Sequence, residues 1–179
     1  MIWSDWLLRT ALMPTDAELK SMLFAAVRAY MSEPTRIGGA RSMEWAVSTR
    51  VAIQLARMPE VMAWEADGYT VDAEYCQDGR EGAMKGEMKL DLVVHKRCES
   101  GRANNWLACE IKLHDLGRPR VPPPADRDKL KRSKEEHFDY QVAIWLAIPR
   151  TLRADRQVWY SEFDANGCAG SVLPLPALP

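Results

Sequence analysis

The apolar positions of this chain fall first into two helical stretches. Leu19, Met22, Leu23, Ala26, Val27 and Tyr30 recur at helical spacing behind Thr15-Asp16-Ala17-Glu18, a capping box that follows Pro14, and Glu33-Pro34 stops the run. Gly38-Gly39 is a break. A second helix is predicted from about Arg41 to Met58, ahead of Pro59, with Met43, Val47, Val51, Leu55 and Met58 on its apolar face. After Gly68 the period changes to that of strands. Tyr69 to Tyr75 reads as the first strand, Met88 to His95 as the second around Leu90, Leu92, Val93 and Val94, and Trp106 to Leu113 as the third. Between them, Gln77 to Gly86 contains Asp78-Gly79 and reads as a turn or mobile loop, and Lys96 to Asn105 is a polar connection.

The second half continues with Gly117 to Ala125, whose four prolines remove donors and fix φ, so an exposed loop is expected. Asp126 to His137 reads as a short charged helix. Tyr140 to Ile148 is apolar on both alternating faces, as a central buried strand requires. Gln157 to Phe163 is a last strand, and the tail from Ala165, ending Leu-Pro-Leu-Pro-Ala-Leu-Pro, is expected to be irregular. Three successive strands make a meander, and strand–helix–strand over 106–148 makes a crossover. The predicted fold class is therefore α/β: a mixed sheet flanked by helices.

Composition narrows the function classes. The chain has 179 residues, room for one domain and little more. Lys plus Arg is 24 against 25 Asp plus Glu, so a tail-type polycationic binder is excluded, although a locally basic groove is not. With 47% apolar and 27% charged residues the chain is an ordinary globular one. Its longest uncharged, unbroken run, Gln141 to Ile148, falls far short of the roughly 20 residues that span a bilayer, so no membrane partner is expected. The start (Met1 to Arg9, with Asp5) lacks the basic region of a secretory signal, which predicts a cytoplasmic protein. Cys76, Cys98, Cys109 and Cys168 form no CxxC and no zinc pattern with His95, His114 and His137, so free thiols are expected. Phosphate-loop, dinucleotide and nucleophile-elbow motifs are absent.

The chemistry concentrates in two strands. Asp91 lies inside Leu90-Asp-Leu-Val-Val94, and Glu110 inside Leu107-Ala-Cys-Glu-Ile111, followed by Lys112. Strand alternation points Glu110 and Lys112 the same way, about 7 Å apart at a rise of roughly 3.3 Å per residue. If the strands are neighbours, Asp91 faces Glu110 across roughly 4.8 Å. Two carboxylates at that separation repel unless a cation lies between them, and all-oxygen ligands suit Mg²⁺ or Mn²⁺. Glu-x-Lys occurs also at Glu18-Leu-Lys20, on an amphipathic helix, and at Glu87-Met-Lys89, which shares a strand face with Asp91. The Glu110 string is preferred because its charges interrupt a markedly apolar strand, and burying charge costs several kcal/mol unless compensated. The competing account is an edge strand with one wet face.

An Asp, then a strand with Glu-x-Lys, then a helix and a buried strand resembles the PD-(D/E)XK nuclease superfamily, the restriction-endonuclease-like fold, and in particular its small bacterial members. The resemblance covers roughly Arg41 to Ile148 and includes Glu44 in the preceding helix, Val71-Asp-Ala-Glu-Tyr75 and Asp128-Lys-Leu130. Leu90 stands where many members have proline before the acid, and residues 1–40 and the tail have no counterpart. The resemblance implies a helical N-terminal extension over 1–40, a nuclease-like domain over 41–164 and a tail over 165–179. It implies Asp91, Glu110 and the Ile111 carbonyl as ligands of Mg²⁺ (Mn²⁺ as substitute), Lys112 as the catalytic lysine, and Glu44 as a helix acid brought to the site. The implied partner is nucleic acid, DNA first, with a homodimer left open. A nuclease fold that binds without cleaving is the alternative.

Other residues are ambiguous in sequence. Glu44 falls between Val51 and Leu55 on the apolar side of its helix, so it faces either the site or the helix N-terminus. Glu74 can approach Asp91 from the other neighbouring strand. Residues 112–134 carry eight Lys or Arg against three Asp, and Lys129, Lys131 and Arg132 are the candidates to track a phosphate backbone. A solubilising helix with pairs such as Asp128–Arg132 and Lys131–Glu135 is the plainer account. Most of the seven tryptophans lie in apolar patterns and suit packing better than base stacking. His95 and His114 end their strands near the acidic ones and are read as polar strand ends or, less simply, as metal or proton groups.

Overall fold

A computed structural model of the chain describes residues 13–33, 44–77, 88–97, 99, 101–114, 121–136, 138–150 and 157–176. The expected Gly38-Gly39 break, the start of the second helix at Arg41, the Asp78-Gly79 turn, Glu87, Cys98, Asp115, Arg118, Arg120 and His137 lie outside them. The described elements run α1 (Asp16–Met31), α2 (Glu44–Ala56), α3 (Pro59–Glu65), β1 (Tyr69–Gln77), β2 (Met88–Lys96), β3 (Asn105–His114), α4 (Pro124–Ser133), β4 (Val142–Pro149), β5 (Trp159–Phe163) and β6 (Leu173–Pro174). The six strands form one sheet in sequence order, β3 and β4 parallel and the other neighbours antiparallel. The α/β class with a mixed sheet is as expected. No helix among the described residues is long and apolar enough to cross a membrane.

Three layers follow from the two periodicities. On one face α1 and α2 lay Leu19, Leu23, Val27, Val47, Val51 and Leu55 against Leu107, Cys109 and Ile111 of β3 and Ile144, Leu146 and Ile148 of β4. On the other, Leu130 of α4 packs with Ala108, Ala143, Trp145 and Ala147. Every residue of β4 is buried, the property its uninterrupted apolar run requires. The capping box at α1 is complete: Thr15 Oγ1 accepts from the Glu18 N–H, and Glu18 Oε2 accepts from the Thr15 N–H at 2.7 Å. Within residues 1–40, expected as a helical N-terminal extension, the described helix α1 contributes six buried side chains to the core.

Three expectations are corrected. The stretch after Pro59 forms α3, whose N1 proline begins a helix instead of merely ending one. The proline loop ends two residues earlier for the same reason: Pro124 is the first residue of α4, which closes at Ser133 and not at His137. Residues 165–176 of the tail fold back onto the sheet. Asp164 Oδ1 accepts from the N–H groups of Asn166 and Cys168, and Gly167, at φ +70°, lets the turn press against Lys131, where a Cβ would lie 2.6 Å from Cγ. Leu173–Pro174 then pairs with Trp159 and Tyr160, and Val172 and Leu175 are buried. Pro174 is tolerated because β6 is an edge strand.

Ile144→Ala, at the centre of the buried strand, should destabilise the protein by about 2–5 kcal/mol. Thr15→Ala, which removes only the cap, should cost about 1 kcal/mol. Urea unfolding of the three proteins measures both; equal losses would show that α1 is not held chiefly by its apolar face.

Candidate active site

The β2–β3 ladder pairs Val93 with Ala108 and Leu92 with Cys109 and ends there, one step short of Asp91 and Glu110, whose charges act on each other. There the main-chain pairing gives way to a side chain: the Ile111 N–H donates to Asp91 Oδ2 at 2.7 Å. A buried amide must be paired, and the Asp91 carboxylate does this where a ladder carbonyl otherwise would. The β1–β2 ladder is interrupted at the same level. Ala73 pairs with Leu92 and Tyr75 with Leu90, but Glu74, opposite Asp91, is left out and adopts φ +54°. For a residue with a Cβ that backbone costs about 1–2 kcal/mol. Strand alternation fails here too. Leu92 and Val94 belong to the core under α1 and α2, whereas Leu90, two residues away, packs in the core under α4.

Glu110 is fully buried, and its only charged partner within ion-pair distance among the described residues is Lys129 of α4, whose Nζ donates to Oε2 at 2.6 Å. Its other oxygen, Oε1, is buried without a hydrogen-bond partner. Burial, with the Asp91 charge added, outweighs Lys129 and pushes the Glu110 carboxyl up to about 8. Asp91 is raised as well, chiefly by burial, against the pull of the Ile111 N–H, Lys129 and Lys112. Lys112 Nζ lies 2.7 Å from Glu44 Oε2 and 3.7 Å from Asp126 Oδ1. Burial draws its pKa down, but Glu44, Asp126 and Asp91 together outweigh burial and raise it, so Lys112 is held as a cation. Glu44 is the first described residue of α2, and its carboxylate reaches Lys112.

An open cleft of about 470 Å³ is lined by Glu44, Trp45, Glu74, Lys89, Asp91, Lys129 and Arg150; Glu110, Lys112 and Asp126 are not among its lining residues and lie behind Lys129 and Glu44, with which they pair. Glu74 pairs with Lys89 and accepts from Ser48 Oγ at 3.4 Å. Asp91, Glu110, Lys112 and Glu44 are thus brought together, and Glu74 joins them. Among the described residues no three His, Cys, Asp or Glu side chains form a ready metal cluster.

Lys129 and Lys131, grouped with Arg132 in the sequence, do not share a surface, a correction to that grouping. At 100° per residue Lys131 lies about 200° from Lys129. Lys129 turns inward onto Glu110 and the Lys89 carbonyl, while exposed Lys131 packs its stem at Gly167. Asp126, counted in sequence only as an acid within a basic run, belongs to the site. It is buried, and burial raises its carboxyl against Lys112, Lys129 and Trp145. Its signal was the spacing to Leu130: one helical turn apart, they face the sheet together. His95 is a strand-end group held elsewhere, its Nε2 3.0 Å from Asp72 Oδ2. Asp72 also bonds Arg97 and Thr70. These partners overcome its burial and bring it down to about 2.

Compared with protein-family models, curated proteins and solved structures, the chain returns no match.

The Glu110 carboxyl, about 8 in the folded protein against an ordinary 4.5, gives a signed expectation. Below pH 4.5 both states hold the proton and folding is unpenalised. From there to about 8 the unfolded chain releases it while the folded one keeps it, so stability falls, at up to about 1.4 kcal/mol per pH unit, and then levels off. Asp72 titrates below this window. Glu110→Gln should therefore flatten the fall in melting temperature between pH 5 and 8 and exceed wild type at the alkaline end. Parallel wild-type and mutant curves would show that Glu110 is ionised in the folded protein throughout.

Proposed function

We propose that this chain is a divalent-metal-dependent phosphodiesterase of the PD-(D/E)XK kind, with restriction-endonuclease-like topology, acting on nucleic acid and DNA first. The observation that carries the reading is the convergence of Asp91, Glu110 and Lys112, with Glu44, into one charge network where β2 parts from β3. The donors suit a hard cation: two carboxylates and the Ile111 carbonyl are all oxygen ligands, and Mg²⁺ retains several waters at such sites. The unpartnered Glu110 Oε1 is the kind of buried acceptor that such an ion would satisfy. When bound, the cation would lower the pKa of an attacking water and neutralise the charge that develops on the phosphate.

The residues themselves do the rest. The Ile111 N–H holds the Asp91 carboxylate in a fixed orientation. Lys112, kept protonated by its acidic neighbours, supplies positive charge to the phosphate oxygens and is not a ligand. Glu44 and Asp126 fix where that ammonium lies. A second reading, a module that binds without cleaving, is favoured by the Lys129 ammonium, which already compensates Glu110.

Incubation with mixed nucleic acids in Mg²⁺ or Mn²⁺ tests the proposal. Lys112→Ala should lower cleavage by about 10²–10³-fold, the usual loss for a group that stabilises transition-state charge. It should keep a Mn²⁺-dependent rise in melting temperature, worth about 2.7 kcal/mol at a hundredfold excess over Kd. Asp91→Asn should lose both cleavage and the rise. Equal cleavage by wild type and Lys112→Ala sinks the mechanism. Absence of both cleavage and a Mn²⁺ shift in wild type favours the binding module.

A further inference from the structure

Lys129 joins the buried part of the site to its open part. It lines the cleft beside Asp91, and it pairs with Glu110, which the cleft does not reach. Glu110 has no exposure, whereas the Lys129 side chain keeps 31% of its own, so the ammonium stands on the solvent side of that carboxylate. Its Nζ donates to Glu110 Oε2 at 2.6 Å and to the Lys89 carbonyl at 3.1 Å, and its charge acts on Asp91 as well. The helix that carries it is anchored through buried Asp126, Leu130 and Ser133.

We infer that Lys129 is a built-in counter-ion that holds the cation position of Asp91 and Glu110 until a divalent ion takes it, and that metal loading expels its ammonium into the cleft. The inference rests on the metal reading above and adds how that site is regulated. A doubly charged ion on these carboxylates and an ammonium still bonded to Glu110 would be like charges on one acid, in a setting too dry to screen them. One of the two must leave. The ammonium is the group that can: it ends a flexible four-carbon stem, is strongly hydrated once in water, and already borders the cleft. The carboxylates are held by strands, and Asp91 also by the Ile111 N–H. Such a lysine compensates Glu110 at low metal concentration and raises the concentration at which the site loads. A thermodynamic cycle gives the consequence. If the loaded site no longer contains the ion pair, replacing Lys129 destabilises only the metal-free protein. By linkage the metal then binds the variant more tightly by the same factor, however the metal-free variant accommodates Glu110.

Thermal melts of wild type, Lys129→Met and Lys131→Met, in EDTA and across a Mg²⁺ titration at one pH, test this. Lys129→Met should melt below wild type in EDTA, because a buried acid has lost its partner, and the gap should close at saturating Mg²⁺. Its Mg²⁺ affinity should exceed that of wild type about 10- to 150-fold, the range of a charged hydrogen bond at about 1.4 kcal/mol per decade. Lys131→Met, at an exposed position of the same helix, should bind Mg²⁺ as wild type does. Acetylation of wild-type amines, read by peptide mass spectrometry, needs no variant to fold: Lys129 should be protected relative to Lys131 in EDTA and lose that protection in Mg²⁺. If wild type is stabilised by Mg²⁺ but Lys129→Met binds it no more tightly, or Lys129 stays protected, the displacement is overturned and the metal site stands. A Mg²⁺ response in Lys129→Met alone supports the inference, with the lysine holding the position outright in wild type. If neither protein responds to Mg²⁺, the inference and the metal reading fall together.

Discussion

A single carboxylate that water cannot reach constrains this structure more than any other group. Glu110 sits in the middle of β3, between the sheet and α4, with no exposure. An isolated charge there would cost several kcal/mol, so the surroundings must supply compensation. They do so in two ways. Lys129 reaches in from α4 to one oxygen, and the carboxyl itself is pushed toward its neutral form, to about 8. The position of α4 against β3 and β4 is thereby tied to one ion pair as well as to Leu130, and the inward turn of Lys129 follows from it.

The distortion of the neighbouring strands belongs to the same region. Asp91 replaces a ladder carbonyl, Glu74 takes a left-handed backbone, and the β2 side chains change faces between Leu90 and Leu92. An undistorted hairpin would direct each residue to a fixed face and satisfy its amides with carbonyls. Strain of this kind persists only where packing on both sides over-determines it, as the two cores do here, and it gathers at sites where side chains must converge. The result is a cluster of acids with Lys112 and Lys129 interleaved, of which Glu44, Glu74, Asp91 and Lys129 line the open cleft.

Charge bookkeeping in the site is local and nearly closed. Lys112 answers Glu44 and Asp126, Lys129 answers Glu110, and Lys89 answers Glu74. A bound cation would join a network that already has its own positive groups, and the unpartnered oxygen of Glu110 is where that network remains incomplete. The proposed nuclease and the proposed binding module differ in what completes it.

The sequence by itself determined the class of fold and the main pair of strands. Alternation over Leu90–Val94 and Leu107–Ile111 is a local property, so the strands and their antiparallel order were legible from it, and with them the proximity of Asp91 to Glu110, although the ladder ends one step short of that pair. So were the capping box at Thr15 and the two-faced burial of β4. Only the tertiary structure decided which partner each charge takes. Lys129 was one cation among eight in a basic stretch, and nothing in its neighbours said that it turns onto Glu110. Asp126 carried a faint signal in its spacing to Leu130, but its contact with Lys112 joins separate elements. The left-handed Glu74 and the ordered tail had none that was clear, because the first arises where two strands part and the second depends on Gly167 meeting Lys131. Periodicity is written along the chain and survives in any window of it. Compensation of a buried charge is a contact between distant segments, and it exists only once the fold has brought them together.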